Sequence, residues 1–294
     1  MPSARNSRPP RSSAALVDAL AAVIIAPACA SCAEVLETPT AGPVCERCWQ
    51  SIRPFTPPFC DACGDPLPPL RRGSDSAPAP GLAPGRLAPP ARCLSCRRTP
   101  RPVARSRAVG PYERHLRDII HAFKYERRRS LAARLGALLR AHGSDVLAGA
   151  DIAVPVPLHW RRRSTRGFNQ AELLARELGL PVRHALRRRR PTRPQVELPA
   201  GARHTNVAGA FALTWRCRLP ETGDGAGFLL ARGWPRQGNP PRPRFPRIHG
   251  KVIVLVDDVS TTGATLDACA RVLLAAGAAE VRALTAARVA SPRR

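Results

Sequence analysis

Hydrophobic and polar positions divide this chain into a front third with little periodicity and a remainder in which strand and helix patterns alternate. The clearest segment begins with five consecutive apolar residues, Val252 to Val256, mostly β-branched, which predict a central parallel strand buried on both faces. After Gly263 the period changes. Leu266, Cys269, Ala270, Leu273 and Leu274 recur at helical spacing until Gly277 closes the helix. From about Val103 onward the same alternation predicts helices near residues 116–128 and 131–139. Asp151 to Pro157 reads as a strand entering a rigid turn, because Pro155 and Pro157 cannot donate to a ladder. A helix over residues 169–178 follows, with Ala171, Leu174, Ala175 and Leu178 on one face. Residues 184–209 are basic, polar and rich in breakers, which predicts a mobile loop. Residues 218–249 read as a Pro-rich, partly disordered insertion.

The segment after Val256 adds chemistry to this α/β pattern. Asp257 and Asp258 fall where the strand is expected to end, and carboxylates are acceptors suited to a pair of ribose hydroxyls. The turn that follows leads into the amino end of a helix, where unpaired N–H groups and the helix dipole stabilise an anion. Gly263 permits close backbone approach, and Ser260, Thr261, Thr262 and Thr265 supply hydroxyl donors. The plain alternative is a capped helix with solvated acids. No GxxxxGK[ST] or GxGxxG motif occurs, which disfavours a P-loop nucleotidase or a dinucleotide enzyme. The whole string from Val252 to Thr265 resembles the phosphoribosyl pyrophosphate (PRPP) signature of type I phosphoribosyltransferases. That resemblance implies that Asp257 and Asp258 hold the ribose 2′ and 3′ hydroxyls. It also implies that Val259, Ser260, Thr261, Thr262, Gly263, Ala264 and Thr265 cradle the 5′-phosphate.

Ten cysteines change the picture of the front third. Eight form CxxC pairs: Cys29/Cys32, Cys45/Cys48, Cys60/Cys63 and Cys93/Cys96. Two thiolates separated by two residues can wrap one tetrahedral metal, and two such pairs close a structural zinc site. Sequential pairing gives one zinc on Cys29, Cys32, Cys45 and Cys48 and a second on Cys60, Cys63, Cys93 and Cys96. A crossed arrangement, with alternate pairs sharing a metal, is the alternative. Disulfides would need an oxidising compartment. Cys217 and Cys269 have no such partner, and Cys269 falls on the apolar face of its helix as a core thiol.

The amino terminus has the outline of a signal peptide, but Asp18 interrupts its apolar run and cleavage after Ala30 would discard Cys29. Leu16, Leu20, Val23 and Ile24 instead suit a short amphipathic helix packed on the cysteine-rich module. No apolar run approaches the length of a membrane span, and a cytoplasmic protein is expected. The 47 Lys and Arg against 21 Asp and Glu give a net charge of +26, which favours polyanions. Only Lys124 and Lys251 are lysines, so coding bias towards arginine accounts for part of the excess. Aromatics at 4% offer little to stack bases upon, which favours phosphate tracking over base reading.

Further motifs complete the resemblance: Val154-Pro-Val-Pro-Leu158, Arg166-Gly-Phe-Asn-Gln170, Arg203 with Asn206, Gly209-Ala-Phe211, and the PRPP string led by Lys251. With the paired cysteines in front, the chain resembles the ComF family of phosphoribosyltransferase-like competence proteins. The resemblance implies a type I phosphoribosyltransferase fold, a parallel sheet flanked by helices, behind a small zinc-ribbon module. The expected division is a disordered basic segment at 1–14, a double zinc ribbon at 15–100 with a Pro/Gly-rich loop at 66–92, and the phosphoribosyltransferase-like domain at 101–294. It further implies that Pro155, Val156, Pro157 and Leu158 bind pyrophosphate, with Arg162, Arg163, Arg166 and Gln170 near, and magnesium bridging pyrophosphate and ribose. Lys124 is expected as a phosphate contact, and Arg203, with Thr192 and Gln195, on a catalytic lid. Three functions stay open: a glycosyltransferase of the phosphoribosyl type with an unidentified acceptor, a competence factor handling single-stranded DNA beside a helicase-like partner, and a non-catalytic PRPP-binding regulator.

Overall fold

Uninterrupted apolar runs pair into strands, and apolar residues spaced three or four apart form helices that cover them. The computed structural model describes residues 18, 26–68, 91–126, 128–158, 167–190, 207–214 and 248–289. In the cysteine-rich part the helices are α1 (Glu46–Gln50) and α2 (Leu94–Arg98). The larger part follows as β1 (Arg105–Pro111), α3 (Arg114–Tyr125), α4 (Leu131–His142), α5 (Ser144–Leu147), β2 (Ile152–Pro155) and α6 (Gln170–Arg176). It ends with β3 (Leu186–Arg188), β4 (Phe211–Leu213), β5 (Val252–Ser260), α7 (Ala264–Ala275) and β6 (Glu280–Arg288).

Four strands make one parallel sheet in the order β1-β6-β5-β2, and β3 pairs with β4 in an antiparallel ribbon. Successive residues of β5 point to opposite faces. Val254 and Val256 join the core under α3, α4 and α6, together with Trp49 and Leu36 of the first cysteine ribbon. Ile253 and Leu255 join the core under α7 and the β3–β4 ribbon. β5 is therefore covered on both sides, as its apolar run predicts.

Several expectations need correction. β5 does not stop at Val256 but continues through both acids to Ser260, because β6 is equally long and the ladder extends to Ser260 opposite Arg288. Part of the segment expected as a mobile loop at 184–209 is β3, fixed by pairing with β4 and by Ala185 and Leu186 in the core. Ile248, placed by composition in the insertion, is fully buried. Helix α3 starts earlier than the apolar spacing indicates, and Asn169 caps α6, with Oδ1 accepting from Ala171 N at 3.2 Å. Residues 1–14, the helix with Leu16, Leu20, Val23 and Ile24, most of the loop at 66–92, Cys217 and most of 218–249 lie outside the described residues. Asp18 is described. It is helical, nearly buried, and accepts from Thr40 N at 2.8 Å and Thr40 Oγ1 at 2.9 Å.

Both cysteine ribbons are seated on the larger part. In the first, Ser31 Oγ lies 2.8 Å from His115 Nδ1 and donates to Asp118 Oδ2 at 3.2 Å, while Arg134 stacks over Trp49. In the second, the Ser106 N–H of β1 donates to Asp61 O at 2.8 Å, and buried Arg107 pairs with Asp61 at 3.0 Å and Asp145 at 2.7 Å. Gly64 closes that knuckle at φ +76°, where an added Cβ would stand 2.7 Å from Ser106 O. Both the left-handed backbone and the backbone contact demand glycine. Gly64→Ala is expected to cost roughly 1–3 kcal/mol, read as a lowered midpoint in chemical denaturation; a wild-type midpoint would show that the knuckle is not seated on β1.

Candidate functional site

Two groups of four cysteines converge: Cys29, Cys32, Cys45 and Cys48, and Cys60, Cys63, Cys93 and Cys96, each with all Sγ atoms within 4.8 Å of one another. The pairing is sequential and not crossed. Cys29–Cys48, Cys32–Cys45 and Cys63–Cys93 Sγ separations are 3.9, 3.8 and 3.8 Å. A disulfide needs about 2.05 Å, whereas ligands at about 2.3 Å around tetrahedral zinc stand about 3.8 Å apart. The Cys45 N–H also donates to Cys29 Sγ at 3.3 Å, as suits a thiolate. Both groups fit structural zinc. Cys269 is buried in the core, and burial pushes its thiol well above the ordinary range.

At the carboxyl end of the sheet, β5 passes through a short turn into α7. The helix is capped by Gly263 at φ +79° with no side-chain cap bond. Its first N–H groups are thus not capped by the N-cap side chain, the condition for anion binding. Thr262 Oγ1 accepts weakly from Ala264 N at 3.4 Å. Ser260 is the last residue of β5, Thr261, Thr262 and Gly263 make the turn, and Ala264 and Thr265 open the helix.

Because the strand continues through them, the two acids part. Asp258 meets Lys124 Nζ of α3 at 2.8 Å, with that ammonium also 5.8 Å from the Tyr112 ring centre. Burial acts to lower the Lys124 pKa, but the Asp258 carboxylate outweighs it and holds the ammonium above its ordinary value. Asp257 turns towards the other side, where the charge of Arg188 in β3 and the Cys269 thiol feel it. Burial first, and then the Asp258 charge, push the Asp257 carboxyl up to about 7, against the Asp258 N–H bond at 2.9 Å and the charges of Lys124 and Arg188.

The loop after β2 lies beside these acids. Pro155 is the register partner of Val256, and Val156 N donates to Val256 O at 2.9 Å. Asn169 Nδ2 donates to Val156 O at 3.1 Å, tying the loop with Pro157 and Leu158 to the start of α6. Gln170, 1% exposed, donates to Lys124 O at 3.4 Å, so it reaches the site through the backbone of α3. Arg162, Arg163, Arg166, Thr192, Gln195, Arg203 and Asn206 lie outside the described residues. Sequence reasoning missed Asn169 and Arg188 as contributors. Asn169 lies inside the Arg166-Gly-Phe-Asn-Gln170 motif and carries the N-cap signal, whereas Arg188 is hidden within a run of arginines.

A double zinc ribbon domain model matches residues 20–78, and a phosphoribosyl transferase domain model matches residues 164–294. The DNA utilization protein YhgH of Salmonella typhi is 31% identical over 245 residues, which cover 80% of this chain and 93% of that protein. The chain belongs to the ComF family. The YhgH protein of Escherichia coli is 32% identical over 200 residues, 65% of this chain and 74% of that protein. Competence protein F of Haemophilus influenzae is 26% identical over 249 residues, 81% and 87% of the two chains. In this ComF chain the second four-cysteine group closes through Cys93 and Cys96, beyond the stretch matched by the ribbon domain. Among the described residues, no helix is long and apolar enough to cross a membrane.

The raised Asp257 pKa has a sign that can be measured. A carboxyl with a folded value above its ordinary 3.8 favours folding while protonated, and that contribution is lost as pH rises through about 7. Asp257→Asn, neutral throughout, is expected to gain stability relative to wild type between about pH 4 and about pH 7, with the difference levelling off above that range. Denaturation midpoints that keep a constant separation across this range would contradict the shift.

Proposed function

We propose that this ComF protein binds magnesium PRPP at the carboxyl ends of β5 and β2, and that the pocket serves the handling of single-stranded DNA in the cytoplasm. The observation that carries the reading is the continuous unit of β5, the Gly263 turn and α7, with two acids and a helix start lacking an N-cap side-chain bond at the carboxyl end of the sheet. The 5′-phosphate takes the amides and hydroxyls of residues 260–265. Asp257 and Asp258 accept the ribose hydroxyls, and the backbone from Pro155 to Leu158 faces the pyrophosphate. The carboxylates are hard oxygen ligands, and magnesium is held by one or two such groups together with substrate phosphates. Lys124 balances the charge of Asp258 and keeps its carboxylate oriented towards the ribose.

A transferase of the phosphoribosyl type would form a bond from the acceptor's nucleophilic atom to C1′ as the C1′–O bond to pyrophosphate breaks, the electron pair leaving with pyrophosphate and fixed donors stabilising the charge that develops on it. The DNA reading draws on the names of the relatives, on the zinc ribbons and on the net charge of +26. Titration calorimetry with magnesium PRPP is expected to show binding in the wild type and none in the double variant Asp257→Asn/Asp258→Asn. Equal affinity in the two would reject the site, and release of pyrophosphate on adding acceptors would separate an enzyme from a binder.

A further inference from the structure

The two four-cysteine groups differ in what they touch. The first rests on α3 and α4 through Ser31, Glu46 and Trp49. The second reaches that turn at both of its ends.

At the strand end, Asp65 stands two residues after Cys63 and forms a two-contact ion pair with Arg288, whose second contact is 3.2 Å. Arg288 is 3% exposed, closes β6, and donates to Ser260 Oγ at 3.2 Å. At the helix end, Arg101 stands five residues after Cys96. Its Nε donates to both carboxylate oxygens of Asp267 at 3.1 Å, and a terminal nitrogen reaches Oδ2 at 2.9 Å. Asp267, 3% exposed, lies in the first turn of α7. The same guanidinium is pressed against Gly263, where an added Cβ would stand 1.9 Å from it. A planar guanidinium held by a carboxylate at two points fixes direction as well as distance. Two independent charged struts thus run from one cysteine knuckle pair to the opposite ends of the stretch from Ser260 to Asp267.

We propose that Arg101 and Asp65 are positioning residues, through which the second four-cysteine group sets the shape of the phosphate turn while the first group does not. The consequence for ligand affinity rests on the PRPP reading above; the consequence for the turn itself does not. In the absence of the struts the backbone from Ser260 to Asp267 opens more often, and its N–H groups no longer converge on one point.

The test uses the full chain and three single variants: Asp65→Asn, Arg101→Lys and, as a control on the first ribbon, Glu34→Gln, which breaks the exposed pair with Arg47. Zinc content, amide hydrogen exchange of residues 259–268 without ligand, and affinity for magnesium PRPP are measured for each. Asp65→Asn and Arg101→Lys are expected to keep two zincs per chain, one for each group of four cysteines. Both should exchange about tenfold faster in that segment and bind PRPP about tenfold more weakly, while Glu34→Gln matches wild type. Asp65 Oδ2 lies 3.4 Å from Cys63 Sγ, so if Asp65→Asn loses zinc the comparison rests on Arg101→Lys, whose hydrogen bonds go to Asp267. Wild-type exchange in zinc-replete Arg101→Lys overturns the proposal. Faster exchange in a protein whose wild type binds no PRPP would keep the struts and remove the PRPP reading.

Discussion

The candidate site depends on β5 staying paired beyond its last apolar residue. The ladder with β6 continues from Val256 opposite Leu284 to Ser260 opposite Arg288. Backbone pairing does not require apolar side chains, so a long partner can carry a strand through two acids that hydrophobic patterning alone would place in a loop. That continuation sends Asp258 to Lys124 and Asp257 towards Arg188, and it delivers the chain into α7 through the left-handed Gly263. Were β5 to end at Val256, neither the acids nor the turn would have a fixed position relative to the loop after β2.

Three arginines tie the parts of this protein together. Arg107, Arg288 and Arg101 are buried or nearly so; their pairs with Asp61, Asp65 and Asp267 join the cysteine-rich part to the sheet or to α7, and Arg107 also pairs with Asp145 of α5. These cations are spent internally and do not form an exposed surface for a polyanion. Removing one partner would leave a buried charge unpaired, which costs far more than an exposed pair contributes. Because these pairs cancel within the fold, the net charge of +26 is carried by the remaining basic residues.

Much of this was legible in the sequence because a few patterns have one physical solution. The CxxC spacings announced two metal sites, though not their pairing, which depends on which knuckles the chain brings together. The run from Val252 to Val256 announced a central strand, and the spacing after Gly263 announced α7. β1 and β6 escaped notice because Arg, Ala and Gly interrupt their apolar positions; they are strands by virtue of their neighbours. Lys124 was expected at a phosphate and is found on Asp258, a partner more than a hundred residues away that no local pattern specifies. The struts from Asp65 and Arg101 were invisible for the same reason: each is a single charge whose meaning lies in a residue distant along the chain.

The most direct measurement is a crystal structure of the full chain with magnesium PRPP bound. The expected result is a 5′-phosphate within hydrogen-bonding distance of the N–H groups of Thr261 to Thr265, with the ribose hydroxyls at Asp257 and Asp258. Phosphate density on an arginine-rich surface, with the turn after β5 free of ligand, would contradict the assignment of the carboxyl end of the sheet as the functional site.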